Sequence, residues 1–192
     1  MKKDIILAGV GGQGILSIAA IIGYAAVESG YYLKQAEVHG MSQRGGDVQS
    51  HLRISDKEIF SDLIPQGGAD LIISVEPMEA LRYLPFLSEV GWLITNINTF
   101  ENIPDYPDKA ALLEVIKAFP RNVALDAEQI AKDLGSNRMM NMVVLGAASP
   151  FLELNYDELE KGIKFIFGRK GDKVVESNLL AMKAGREISD KR

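Results

Sequence analysis

The chain contains no cysteine, and only two histidines and one tryptophan among its 192 residues. Without thiols it can form no disulfide, thiolate zinc site or cysteine nucleophile, and it cannot by itself hold an ordinary iron–sulfur cluster. Two histidines give a metal centre little support. Basic excess is also missing: 21 Lys and Arg stand against 26 Asp and Glu, for a net charge of -5. The basic residues are scattered, which argues against nucleic acid as a partner. No apolar run is long enough to span a bilayer, since the best candidate, 15–27, carries Ser17, Gly23 and Tyr24 and is bounded by Glu28. The opening MKKDIILAGVGG has the lysines of a signal peptide, but Asp4 and the glycines leave too short an apolar core. A cytoplasmic location and no membrane contact are therefore expected. No Ser/His/Asp triad, kinase signature, internal repeat or low-complexity linker is present.

What remains is average for a folded domain, 47% apolar and 24% charged. The length suits one domain, 1–192. DIILAG at 4–9 is a short apolar run ending in glycine, the pattern of a strand buried on both faces. Residues 15–29 read as the first helix, with Gly30 at its stop. YYLKQAEV is a weaker strand, and DVQSHLRIS alternates Val48, Ser50, Leu52 and Ile54 with Gln49, His51 and Arg53. The turn SDK and the run EIFSDLI complete an inserted hairpin in this reading, with His51 on an exposed polar face. ADLIISV, GWLITNI and NVALDA are further strands. The 98–108 stretch, with Pro104 and Pro107, is a loop, and Glu76-Pro77 opens a helix that Glu76 and Glu79 stabilise at its start. From about 127 to 192 the chain reads as helical, with Asn155 and Glu158 spaced as a capping box. The fold class expected is α/β: a Rossmann-like, mostly parallel sheet with an inserted hairpin and C-terminal helices.

Gly9, Gly11, Gly12, Gln13 and Gly14 fall in GVGGQG, between the first strand and the first helix. There the G-x-G-x-x-G spacing has a mechanical meaning: a tight turn, a close backbone approach for a phosphate, and close packing of helix on strand. Backbone N–H groups at the helix start add an anion site. Three readings stay open. A dinucleotide enzyme would use Glu37 for a ribose hydroxyl, a regulatory module would bind a nucleotide without redox chemistry, and a packing corner would bind nothing.

A second glycine loop follows. Glu37, His39, Gly40, Ser42, Gln43, Arg44, Gly45 and Gly46 lie together in AEVHGMSQRGG. Loops at the carboxyl ends of neighbouring strands share a crevice in a doubly wound sheet, and Arg44 in glycine-rich backbone suits a phosphate or a carboxylate. His39 titrates near neutrality and suits acid–base work. The set is one for binding rather than for complete catalysis, and Trp92 reads as core.

GVGGQG, AEVHGMSQRGGDVQSHLRIS and ADLIISVEPMEALRYLP together resemble the gamma-type domain of the 2-oxoacid:ferredoxin oxidoreductases, and EVHGMSQRGG is most similar to the indolepyruvate branch. The resemblance spans roughly 1–152. It implies a subunit, inactive alone, of an enzyme that oxidatively decarboxylates an aryl pyruvate to an acyl-CoA and reduces ferredoxin. It further implies that thiamine diphosphate and iron–sulfur clusters sit on a partner subunit, that CoA is a co-substrate, and that this chain alone holds no cofactor. Both glycine loops would then face the partner and the active-site cleft.

Overall fold

The computed structural model describes residues 1–39 and 45–191, with His39 described in its backbone alone. Six strands form one sheet: β1 (Lys2–Val10), β2 (Tyr32–His39), β3 (Asp47–Ser55), β4 (Ala69–Ser74), β5 (Leu87–Asn96) and β6 (Asn122–Leu125), in the order β2-β3-β1-β4-β5-β6. β1, β4, β5 and β6 are parallel neighbours, while β3 is antiparallel to both β1 and β2. The expected mostly parallel α/β sheet is therefore present, with one strand reversed.

Seven helices accompany the sheet among the described residues: α1 (Ile15–Glu28), α2 (Pro77–Arg82), α3 (Lys109–Ala118), α4 (Ala127–Asp133), α5 (Met140–Ala148), α6 (Tyr156–Phe167) and α7 (Asp172–Ser189). None is long and apolar enough to cross a membrane. Alternation along β1 assigns the two cores. Ile5 and Leu7 pack with α1, α4, α5, α6 and α7, whereas Ile6 and Ala8 pack with α2, α3 and Ile64. Trp92 packs against the larger core, its ring tilted by 31° against that of Phe151 with centroids 4.3 Å apart. Asp4, buried inside the first strand, is matched by Arg53, whose Nε and Nη2 donate to its two carboxylate oxygens at 2.7 and 3.1 Å. That pairing makes a carboxylate tolerable there.

Three expectations are corrected. The hairpin partner of β3 is β2, not EIFSDLI; residues 58–64 form no strand, and Ile59 and Ile64 fold over the sheet. His51 consequently lies beneath this segment, 4% exposed, and not on a solvated face. Asn155 caps α6 by accepting from Asp157 N at 3.1 Å, while Glu158 pairs with Lys161, so the reciprocal capping box is not made.

His51 Nδ1 accepts from Ile64 N at 2.9 Å, which requires the neutral ring with its proton on Nε2. Burial lowers its pKa below 6.5, with Arg53 adding to the effect and Asp62 opposing it. The unfolded chain therefore takes up this proton first on acidification. Stability is full above about pH 6.5 and is lost as pH falls below it. The melting temperature of the wild type should fall between about pH 7.5 and 5.5, and His51→Asn, which keeps an acceptor but does not titrate, should flatten that slope. Equal slopes in thermal melts would refute the assignment.

Candidate functional site

The glycine turn leaves β1 at Val10 and enters α1 at Ile15. Gln13 folds back, its Oε1 accepting from Val10 N at 2.8 Å and its own N–H donating to Val10 O at 3.1 Å. Gly9 has no room for a side chain, since a Cβ would come within 2.5 Å of Val75 Cγ2. Gly12 and Gly14 hold φ of 102° and 83°, the left-handed region that glycine enters without penalty. Asn141 Nδ2, from α5, donates to Gly14 O at 3.1 Å and fixes the helix entry from below. No side chain caps α1, so its first N–H groups face outward over the turn.

The second glycine loop returns to this turn. Gly11 N donates to Gly46 O at 2.8 Å and Gly45 N to Gly11 O at 3.4 Å, so the exit of the second loop is joined to the turn. Gly40, Ser42, Gln43 and Arg44 lie outside the described residues, as does the side chain of His39. Glu37 lies on β2. It pairs with Ser50, which pairs with Leu7, so β3 stands between Glu37 and β1. Two strand spacings, about 9–10 Å, separate the carboxylate's strand from the glycine turn. A dinucleotide ribose clamp needs the second strand adjacent to the first. The topology thus removes the main support for the dinucleotide alternative.

On its helical side the turn opens into a cleft of about 760 Å³. Gln13, Gly14 and Ser17 line one wall, while the segment before α5 supplies Arg138, the turn between α6 and α7 supplies Lys170, and α7 supplies Lys173. No carboxylate lines it, and among the described residues none of these three cations forms an ion pair with one. In a chain of net charge -5 this concentrates positive potential in one place. Phe167 and Met139 give the cleft an apolar floor. These cations carried no motif; SNRMMN and GRKGDK lie far from the glycine turn in sequence and meet it only through the packing of α5 and α7.

Beside the turn, Glu76 is fully buried and caps α2, its Oε2 accepting from Glu79 N at 2.8 Å. The expectation of an acid-stabilised helix start is met, and the position also has a second use. Its Oε1 accepts from Phe100 N at 3.3 Å and from the hydroxyl of Tyr106. Burial, with that bond to Glu76, pushes the Tyr106 hydroxyl pKa up. Burial likewise raises Glu79, which Arg82 partly offsets, and lifts Tyr83 to about 12. Among the described residues no group of three or more His, Asp or Glu could hold a metal ion.

Fold and site together define a Rossmann-like α/β module with a glycine turn at a helix start, beside a cleft lined by Arg138, Lys170 and Lys173. The family model described as pyruvate ferredoxin/flavodoxin oxidoreductase matches residues 4–188, and the chain belongs to this family. It is 38% identical to the indolepyruvate oxidoreductase subunit IorB of Archaeoglobus fulgidus, over 96% of this chain and 94% of that one. It is 33% identical to the subunit of the same name from Thermococcus kodakarensis, over 96% and 95%. In structure it matches the keto/oxoacid ferredoxin oxidoreductase gamma subunit from Geobacter sulfurreducens with a TM-score of 0.73 at 24% identity, covering 99% of each chain. Against the 2-oxoglutarate:ferredoxin oxidoreductase from Magnetococcus marinus, with 2-oxoglutarate, coenzyme A and succinyl-CoA bound, the TM-score is 0.79 at 21% identity. All of this chain there overlies 31% of the other. These two likenesses show the fold.

Proposed function

We propose that this chain is the cluster-free subunit of a cytoplasmic indolepyruvate:ferredoxin oxidoreductase. The observation that carries the reading is the bonding of Gly45 and Gly46 to the first glycine turn, beside a cationic cleft that no carboxylate lines among the described residues. The similarity to subunits named for indolepyruvate supports the substrate. The overall reaction converts an aryl pyruvate and CoA to an acyl-CoA and carbon dioxide, with two electrons passing to ferredoxin. Thiamine diphosphate, held by the partner, would supply the carbanion stabilisation needed to cleave the C–C bond to the carboxylate, and iron–sulfur clusters there would supply the path for the electrons.

This chain's contribution is to bind and position. The N–H groups at the start of α1, with Arg138, Lys170 and Lys173, suit the phosphates of CoA. Arg44, beside Gly45, suits a phosphate or the 2-oxoacid carboxylate. Arg44→Ala should leave the chain folded and the complex assembled, yet raise the KM for CoA or the 2-oxoacid by about tenfold, the effect of one lost charge-assisted bond. Wild-type constants in an assembled variant would remove Arg44 from the site.

Assembly and cofactor binding test the reading directly. The chain should co-purify with a separately encoded thiamine-binding, cysteine-rich partner, and calorimetric titration of the chain alone with NADH or NADPH should give no heat of binding. Tight NAD(P) binding with no complex would favour the dinucleotide enzyme instead.

A further inference from the structure

Between β5 and α3 the chain takes residues 97–108 to make a connection that most α/β units make in two to six. These residues join no strand or helix, so their place depends on a few specific bonds. At the inner end, Asn96 Nδ2 donates to Asn98 O and to Val75 O, each at 3.3 Å, and Asn96 Oδ1 accepts from Ala127 N at 3.1 Å. In the middle, Phe100 N and the Tyr106 hydroxyl converge on Glu76 Oε1. At the outer side, Asn102 Nδ2 donates to Gly45 O at 2.6 Å. Gly45 in turn donates to Gly11 of the glycine turn.

A buried carboxylate is costly unless each oxygen is satisfied. A helix start needs only one of those oxygens, which Glu79 N occupies. The other holds a loop, and that loop also bonds the exit of the second glycine loop through Asn102. We propose that residues 97–108 are a strap that sets the position of Gly45 and Gly46 against the first glycine turn, with Asn102 as its positioning residue and Glu76 as its buried anchor. The inference rests on the reading that the joined loops face a ligand. The strap touches no reacting group; it acts through Gly45. Phe100 and Ile103, each 45% exposed, lie on the strap itself.

Two variants break the strap at different points. Asn102→Asp is isosteric and replaces the donor facing Gly45 O by an acceptor, and Tyr106→Phe removes one bond to Glu76. In the assembled oxidoreductase each should raise the KM for CoA or 2-oxoacid, or lower kcat, by about tenfold while complex yield stays at the wild-type level. Because both act on one strap, the double variant should be no worse than the worse single one. Independent, multiplying losses would overturn the proposal, as would wild-type kinetics in Asn102→Asp. Deuterium exchange of the full chain without its partner reads the strap separately from the reaction. Asn102→Asp should speed exchange in the peptides carrying Gly11 and Gly45 by about tenfold, and unchanged exchange there would overturn the strap even if the enzyme reading holds. Faster exchange together with no CoA-dependent activity in the wild-type complex would uphold the strap and refute the enzyme reading.

Discussion

Gly185→Ala is expected to destabilise the chain by at least ~3 kcal/mol, a large share of the ~5–15 kcal/mol available to an ordinary domain. α5 and α7 cross with glycine facing backbone on both sides. A Cβ on Gly185 would collide with the carbonyl of Val143 and approach Ala147 N to 3.0 Å, while one on Gly146 would collide with the carbonyl of Met182. Backbone cannot rotate away as a side chain does, so relief requires the helices to separate. Separation would expose Ala181 and Met182, both fully buried now. α7 also supplies Lys173 to the cationic cleft, so activity should fall with stability. Urea unfolding measures the effect. Gly168→Ala is the comparator, because its φ is -54° and a Cβ there meets nothing within 4 Å. It should be neutral within about 0.5 kcal/mol. Equal midpoints for the two variants would contradict the close helix crossing.

Gly14→Ala carries the second large effect, this time on function. Its φ of 83° lies in the left-handed region, and an added Cβ would collide with the Asn141 side-chain amide. The strain is ~1–2 kcal/mol. Displacing Asn141 also breaks its bond to Gly14 O, so the start of α1 loses its fixed height beside the proposed phosphate site. A misplacement of about 1 Å there is expected to reduce turnover of the assembled enzyme about a hundredfold. Gly12→Ala separates strain from collision, since its φ is 102° but a Cβ meets nothing within 4 Å. Steady-state kinetics should rank Gly14→Ala well below Gly12→Ala, and the reverse order would show that collision with Asn141 is not what matters.

The glycine turn was legible because its spacing falls where a buried strand ends and a helix starts, and that context gives the motif a mechanical meaning. The strands at 4–9 and 69–75 and the helix after Gly14 were legible for the same reason: apolar period and glycine punctuation agree. Strand order was not. A β3 inserted between β1 and β2 leaves the same alternation in each strand as a β3 at the sheet edge, yet it decides whether Glu37 can reach the turn. His51 was misjudged because alternation shows which residues share a face and not whether that face is covered; Ile64 covers it. Arg138, Lys170 and Lys173 gave no signal at all, since only the α5–α7 crossing carries them to Gly14. Glu76 was legible as a helix start, but Tyr106 and Phe100 on its other oxygen belong to a loop whose course no local pattern fixes.

The most direct test of the central claim is to purify this chain, a candidate thiamine-binding partner, and the two together, and to follow indolepyruvate- and CoA-dependent reduction of a ferredoxin substitute. The account predicts turnover in the pair and none in either chain alone. Equal turnover by the partner alone, or NAD(P)-dependent turnover by this chain alone, would contradict it.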